Sequence, residues 1–267
     1  MARSRSARGS TAGSSGAARA RDDDWRGYGR LSTRPLHILC FLLPLIILYE
    51  VGTILYLTDH GRGVVETVSA QSILSRFFEV FGVASFYLPG IALATVLLLW
   101  HLLERDRWRI YPGVLAGMFC ESLFWTLPLL VLGLLILPRH PAAAMATGDT
   151  LNSLSDGAKI TLSVGAGLYE ELLFRLIIIA GLHLLLVDVA GVKDSAGYLV
   201  AALVSSVAFA LYHDLAAPGG GLNLPLAVFY ALAGLYFAGL FVLRGFGIVV
   251  MVHTFYDVLV LVVIGSR

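Results

Sequence analysis

Three short stretches place ionisable side chains where the surrounding sequence is apolar: "GLYEELLFRLIII" with Glu170, Glu171 and Arg175, "VAFALYHD" with Phe209 and His213, and "VVMVHTFYDVLV" with His253 and Asp257. Inside a bilayer such a charge costs about 2.5–3.5 kcal/mol on insertion scales, so it faces protein and has a partner or a task. On a helix, Glu171 and Arg175 stand four residues apart with the acid first, the favourable order for an ion pair. Glu170 is turned by about 100° from Glu171 and cannot share that contact. One glutamate is therefore expected to be structural and the other free to react. His253 and Asp257 are also four apart, and a carboxylate beside an imidazole orients it. Phe209 and His213 share the same spacing at the end of their apolar run. Taken singly, each set also reads as a buried structural pairing, or, for His213, as a marker of the water boundary. Taken together, they could converge from three helices to give a general base, a partner for it and groups that polarise a carbonyl. The same four donors, Glu170, His213, His253 and Asp257, would also suit zinc with an open position for water.

The elements that must position these groups are membrane helices. The 267-residue chain is 58% hydrophobic and 14% charged, a balance that a soluble globular chain rarely has. Apolar runs near the length of a span cover Leu36–Leu57, Ser85–Leu103, Val114–Leu137, Lys159–Val187, Gly197–His213, Pro225–Leu243 and Phe246–Ile264. They predict an all-α, polytopic bundle of about seven transmembrane helices spanning residues 35–267. Residues 64–81 read as a weaker, amphipathic segment lying on the membrane surface. Residues 1–34, rich in Arg, Ser, Gly and Ala, read as a disordered basic tail rather than a cleaved signal. The tail's eight arginines, with Arg105, Arg107, Arg109, Lys193 and Arg244, fall on one side of the membrane. Arg62, Arg76, Arg139, Lys159 and Arg267 fall on the other, so the N-terminus is expected in the cytoplasm. Cys40 and Cys120 both lie in apolar runs and read as small core residues. No nucleic-acid partner is expected, the lipid bilayer is, and the oligomeric state is left open.

The motifs "EELLFR", "FALYH" and "HTFYD" correspond to E-E-x-x-x-R, F-x-x-x-H and H-x-x-x-[ND]. In order, spacing and helix context they resemble the CAAX protease and bacteriocin-processing (CPBP, or Abi) family of intramembrane endopeptidases, which includes the type II CAAX prenyl endopeptidases. The resemblance covers about residues 110–265. It implies hydrolysis of a peptide bond in a membrane-associated protein or peptide. Glu170 would activate water with His213, Glu171 and Arg175 would be the structural pair supported by Phe209, and His253 and Asp257 would stabilise the oxyanion. Both a metal-dependent and a metal-free, glutamate-based mechanism are proposed for the family. The zincin motif H-E-x-x-H is absent. Asp257 stands where the prenyl-protein enzymes commonly have asparagine. An ionised aspartate donates no hydrogen bond, so Asp257 is expected to be neutral, to bind a metal or, the favoured reading, to orient His253.

Two readings from other classes compete. Intramembrane Glu, His and Asp also build the relays of a proton-coupled transporter, and the same cavity could serve a non-catalytic scaffold or immunity protein. The sequence contains neither paired broken helices nor inverted repeats, which favours the protease. The composition of the tail suggests a bacterial plasma-membrane protein. Glu50, Glu121 and His183 read as structural, and "PGGG" at 218–221 as a flexible loop beside His213.

Overall fold

The computed structural model describes residues 27–59, 63–64, 68–80, 87–105, 107–137, 154–217 and 219–265. It is a helix bundle. In chain order the helices are α1 (Pro35–Tyr56), α2 (Ser69–Val80), α3 (Leu88–Glu104), α4 (Pro112–Ile136), α5 (Asp156–Val189), α6 (Asp194–Tyr212), α7 (Leu224–Arg244) and α8 (Phe246–Ile264). Six of them, α1 and α4 to α8, are long and apolar enough to cross a membrane, and α3 is a shorter apolar helix. Two two-residue antiparallel strands, Thr58–Asp59 and Gly63–Val64, form a small hairpin between α1 and α2. The first 26 residues of the expected tail lie outside the described residues. The rest of it is structured, with a short helix at 27–32 leading into α1.

Local chemistry sets the helix ends. Proline opens α1, α3, α4 and α7, where its missing N–H has no helical partner to lose. Ser155 caps α5 by accepting the Ala158 N–H, and Asn223 caps α7 by accepting that of Leu226. Gly245, at φ 80°, makes the tight turn between α7 and α8.

α8 is the innermost span: 67% of its most apolar window is buried, against 22% for α4. It packs on α5, α4 and α7, while α5 also packs on α1, and α6 packs on α7. Outward faces carry Leu127, Val131, Leu199, Leu203 and Val207, all exposed as lipid-facing residues would be. Consecutive spans run in opposite directions, while α4 and α8, which pack together, run the same way. The Tyr111 N–H bonds His37, and Gly247 meets Met118 and Ile38, so the first turns of α1, α4 and α8 lie together. At the other end of α1, Tyr56 meets Gly157 in the first turn of α5. α2, in the connection from that far end of α1 to α3, turns Ala70, Gln71 and Leu74 inward and Ile73, Phe77 and Val80 outward.

Candidate active site

The two helices that carry most of the ionisable groups, α5 and α8, cross unusually closely. A Cβ on Gly167 would collide with the Thr254 hydroxyl and come within 2.8 Å of the Val250 carbonyl. Glycine at that crossing lets the next turn of α5 bring Glu170 and Glu171 up to His253. Directly after Glu171 the hydrogen bonding of α5 widens to a π-helical turn over Leu172–Ile179, a departure that recurs at functional sites.

Glu171 and Arg175 pair at 3.0 Å, both fully buried. The guanidinium sits over the rings of Phe209 (4.8 Å), Phe237 (5.6 Å) and Phe174 (5.9 Å), a cage of favourable ring faces. Arg175 also reaches Ser205, whose hydroxyl donates to the Phe174 carbonyl at 2.7 Å. Phe209 thus touches Arg175 on one side and the His213 ring, 4.7 Å away, on the other.

His213 ends α6 with extended backbone. Its Nδ1 lies 2.8 Å from the Phe209 carbonyl. A carbonyl only accepts, so the proton is on Nδ1 and Nε2 faces Glu170 Oε2 at 3.7 Å. The ring stacks on Tyr230 of α7 at 3.8 Å. His253 is stacked on Phe237 at 4.6 Å. Its Nδ1 is held by Glu171 Oε1 at 2.8 Å, while Nε2 faces Glu170 Oε2 at 3.9 Å and Asp257 Oδ2 at 3.5 Å.

Glu170 is therefore the meeting point of α5, α6 and α8, and its two imidazole contacts are longer than direct hydrogen bonds. Glu171 does more than its spacing to Arg175 suggested, since it also fixes the His253 ring. The direct hydrogen bond that orients His253 comes from Glu171 and not, as expected, from Asp257, which approaches the opposite ring nitrogen at the longer distance. The reason is geometric: Asp257 lies one turn along the same helix, whereas Glu171 reaches across from α5. Exposure falls inward, from 18% for the His213 side chain to 8% for Glu170, 5% for His253 and 1% for Asp257, so the site is most open at His213.

The donor set has the chemistry zinc prefers, imidazole nitrogen and carboxylate oxygen. Among the described residues, however, no three His, Cys, Asp or Glu side chains are arranged to hold a metal ion.

Glu50, His183 and Glu121, singled out above, each have a local partner. Glu50 lies 3.3 Å from the Tyr169 hydroxyl. His183 pairs with Asp194 at 2.8 Å and packs on Tyr198, so it is more than a packing residue. Glu121 pairs with Arg244. Of the loop at 218–221, Pro218 lies outside the described residues, and Gly220 and Gly221 take positive φ beside a single bridge, Ala216 to Leu222. Sequence reasoning missed Tyr230 and Phe237, which wall the two histidines.

Residues 158–259 match a family model described as type II CAAX prenyl endopeptidase Rce1-like. The matched stretch holds all three motifs and agrees with the resemblance to the CPBP family of membrane proteases. No match was found among curated proteins or among solved structures.

Proposed function

We propose, on the premise of this match to an endopeptidase family, that the chain is an intramembrane protease cutting a peptide bond of a membrane-associated protein or peptide. The observation that carries the reading is the convergence of Glu170 with the remote nitrogens of His213 and His253 at 3.7 and 3.9 Å. Those separations are too long for direct bonding and short enough for a water to bridge from the side.

The chemistry follows from the hydrogen-bond directions. His213, with its proton on Nδ1, offers the Nε2 lone pair to one hydrogen of a water, and Glu170 accepts the other. Glu170 takes that proton as the water oxygen attacks the carbonyl carbon. The carbonyl π pair moves to oxygen. His253, carrying protons on both nitrogens between Glu171 and Asp257, donates from Nε2 to that oxyanion. Collapse breaks the C–N bond, and the proton on Glu170 passes to the leaving amine. Asp257 acts beside His253, keeping the Nε2 donor aligned. No step is routed through a metal.

With the N-terminus in the cytoplasm, the connection carrying α2 and the loop after His213 lie toward the outer face. The site would then open to the outer half of the membrane. In a bacterial plasma membrane the substrate would be a membrane peptide or protein.

Comparative membrane proteomics of cells carrying wild type or Glu170→Ala tests the activity. A protein that accumulates uncleaved in the variant supports it, and identical proteomes contradict it. Elemental analysis of the purified protein tests the metal: a stoichiometric transition metal lost in His213→Ala would replace this mechanism with a metal-assisted one.

A further inference from the structure

α7 contributes no residue to the three motifs, yet its rings face both histidines. Tyr230 and Phe237 stand seven residues apart, two helical turns, so they project from one face of the helix. Gly234 lies on that face between them. A Cβ there would come within 3.0 Å of both the Cα and the carbonyl oxygen of Ser206 on α6. The two backbones therefore meet one and two turns before Phe209 and His213, and that close approach sets how deeply the α7 rings enter the site.

Phe237 serves two groups at once: it stacks on His253 at 4.6 Å and lies 5.6 Å from the Arg175 guanidinium. Tyr230 lies against His213, ring on ring at 3.8 Å and 22° from parallel. Two further rings touch this imidazole. Phe209 is tilted by 56° at 4.7 Å, and Tyr212 meets it edge-on at 5.1 Å. Tyr212 is fixed in turn through its hydroxyl oxygen, which accepts the Ala70 N–H at 2.7 Å. Of the three rings, Tyr230 is the one that covers the imidazole face.

His213 has a use for such a cover. A hydrogen bond to an imidazole nitrogen lies in the ring plane, so turning the ring swings both nitrogens out of line. Nδ1 is bonded to the Phe209 carbonyl at 2.8 Å, while Nε2 stands 3.7 Å from Glu170, beyond direct bonding. A stacked face fixes the plane without occupying either nitrogen, and so leaves Nε2 open to a water.

We infer that Tyr230 is a positioning residue, whose ring holds the His213 plane so that Nε2 stays aimed at Glu170. The inference rests on the proteolytic reading of the site.

The test is nitrogen solid-state NMR on the full chain, carrying isotope-labelled histidine, in lipid nanodiscs. His213→Gln identifies the His213 signals by their loss. In wild type the ring is expected as a single tautomer with its proton on Nδ1. Tyr230→Leu removes the face and frees the ring to turn from the Phe209 carbonyl, so both tautomers should appear. Tyr230→Phe keeps the face and should show one. In parallel, a quenched fluorogenic peptide ending in a farnesylated CAAX sequence is assayed. Tyr230→Leu should lower kcat about tenfold and leave KM within about twofold, and Tyr230→Phe should recover kcat to within about threefold of wild type, the weight of one aromatic pair. A single Nδ1–H tautomer in Tyr230→Leu overturns the inference, and so does an unchanged kcat. Raised KM at unchanged kcat makes Tyr230 a substrate contact instead. A Tyr230→Phe protein that loses as much as Tyr230→Leu assigns the effect to the hydroxyl and overturns the stack. Where Tyr230→Leu does not fold, Tyr230→Met, which fills the space with a flexible chain, is judged by the same outcomes. Failure of both to fold makes Tyr230 a core residue and overturns the inference. Wild-type protein that cleaves neither this peptide nor any membrane protein sinks the proteolytic reading, and the tautomer result still judges whether Tyr230 holds the His213 ring.

Discussion

Two polar clusters of the bundle, one half-buried around Glu121 and one buried around Glu170, are built differently. At the end near the chain's N-terminal segment, Arg244 of α7 donates to both Glu121 carboxylate oxygens, at 2.5 and 2.7 Å, and to Ser32 at 3.2 Å. Glu121 also accepts from Tyr28 at 2.6 Å and from Trp125 at 3.1 Å. Burial, and then the adjacent carboxylate, raise the Tyr28 hydroxyl above its ordinary range, so it stays a donor at any working pH. Every strong acceptor there meets a donor directly. Around Glu170 the two imidazoles stand off at 3.7 and 3.9 Å, and among the described residues Glu170 Oε2 and Asp257 Oδ1 have no direct hydrogen-bond partner. A saturated cluster locks helices together, whereas one with spare acceptors facing imidazole nitrogens is arranged to take up and hand on protons. Glu171 and Arg175 stand between the two kinds: Glu171 bonds His253 directly and lies 3.0 Å from Arg175 Nε, yet Glu171 Oε2 and Arg175 Nη2 make no direct hydrogen bond among the described residues.

Substitutions can break or sharpen this contrast. The largest effect is expected on turnover at the unsaturated cluster: Glu170→Gln should lose about a thousandfold or more of peptidase activity, and His213→Ala about a hundredfold, both read by peptide cleavage in detergent. Next comes the close crossing of α5 and α8 beside Glu170. Gly167→Ala forces α5 away from α8 and should destabilise by about 1–3 kcal/mol, seen in thermal melts, with turnover falling alongside. Glu121→Gln weakens the saturated cluster, costing about 1–3 kcal/mol as one hydrogen-bonded charge is lost. It should leave kcat near wild type, and a large loss of kcat would erase the distinction between the two regions. The smallest effect is expected at Asp257→Asn, which should keep activity within about tenfold because Glu171, not residue 257, makes the direct bond to His253. Complete loss there would show that the negative charge itself is required.

The spans were largely legible because apolar length is a coarse signal that survives any packing. Their ends were less so. The run expected to begin at Lys159 begins as helix at Asp156, since the capping turn after Ser155 is polar and invisible to hydropathy. The Glu171–Arg175 pair was legible because both lie on one helix at fixed spacing. The bond from Glu171 to His253 joins residues 82 apart and depends on how closely α5 and α8 cross, which no local pattern encodes. Tyr212, Tyr230 and Phe237 were hidden for a different reason. An aromatic residue in an apolar helix looks like packing, and only neighbours from other helices give its ring face or hydroxyl a task.

The central claim is that of two adjacent glutamates one reacts and one supports. It is tested most directly by measuring melting temperature and peptide turnover on the same preparations of Glu170→Gln and Glu171→Gln. Glu170→Gln should melt like wild type and turn over no peptide. Glu171→Gln, which leaves the fully buried Arg175 without its partner, should lose about 3–5 kcal/mol of stability and melt well below wild type. A Glu171→Gln protein that melts normally and is inactive, beside a Glu170→Gln protein that still cleaves, would contradict the account.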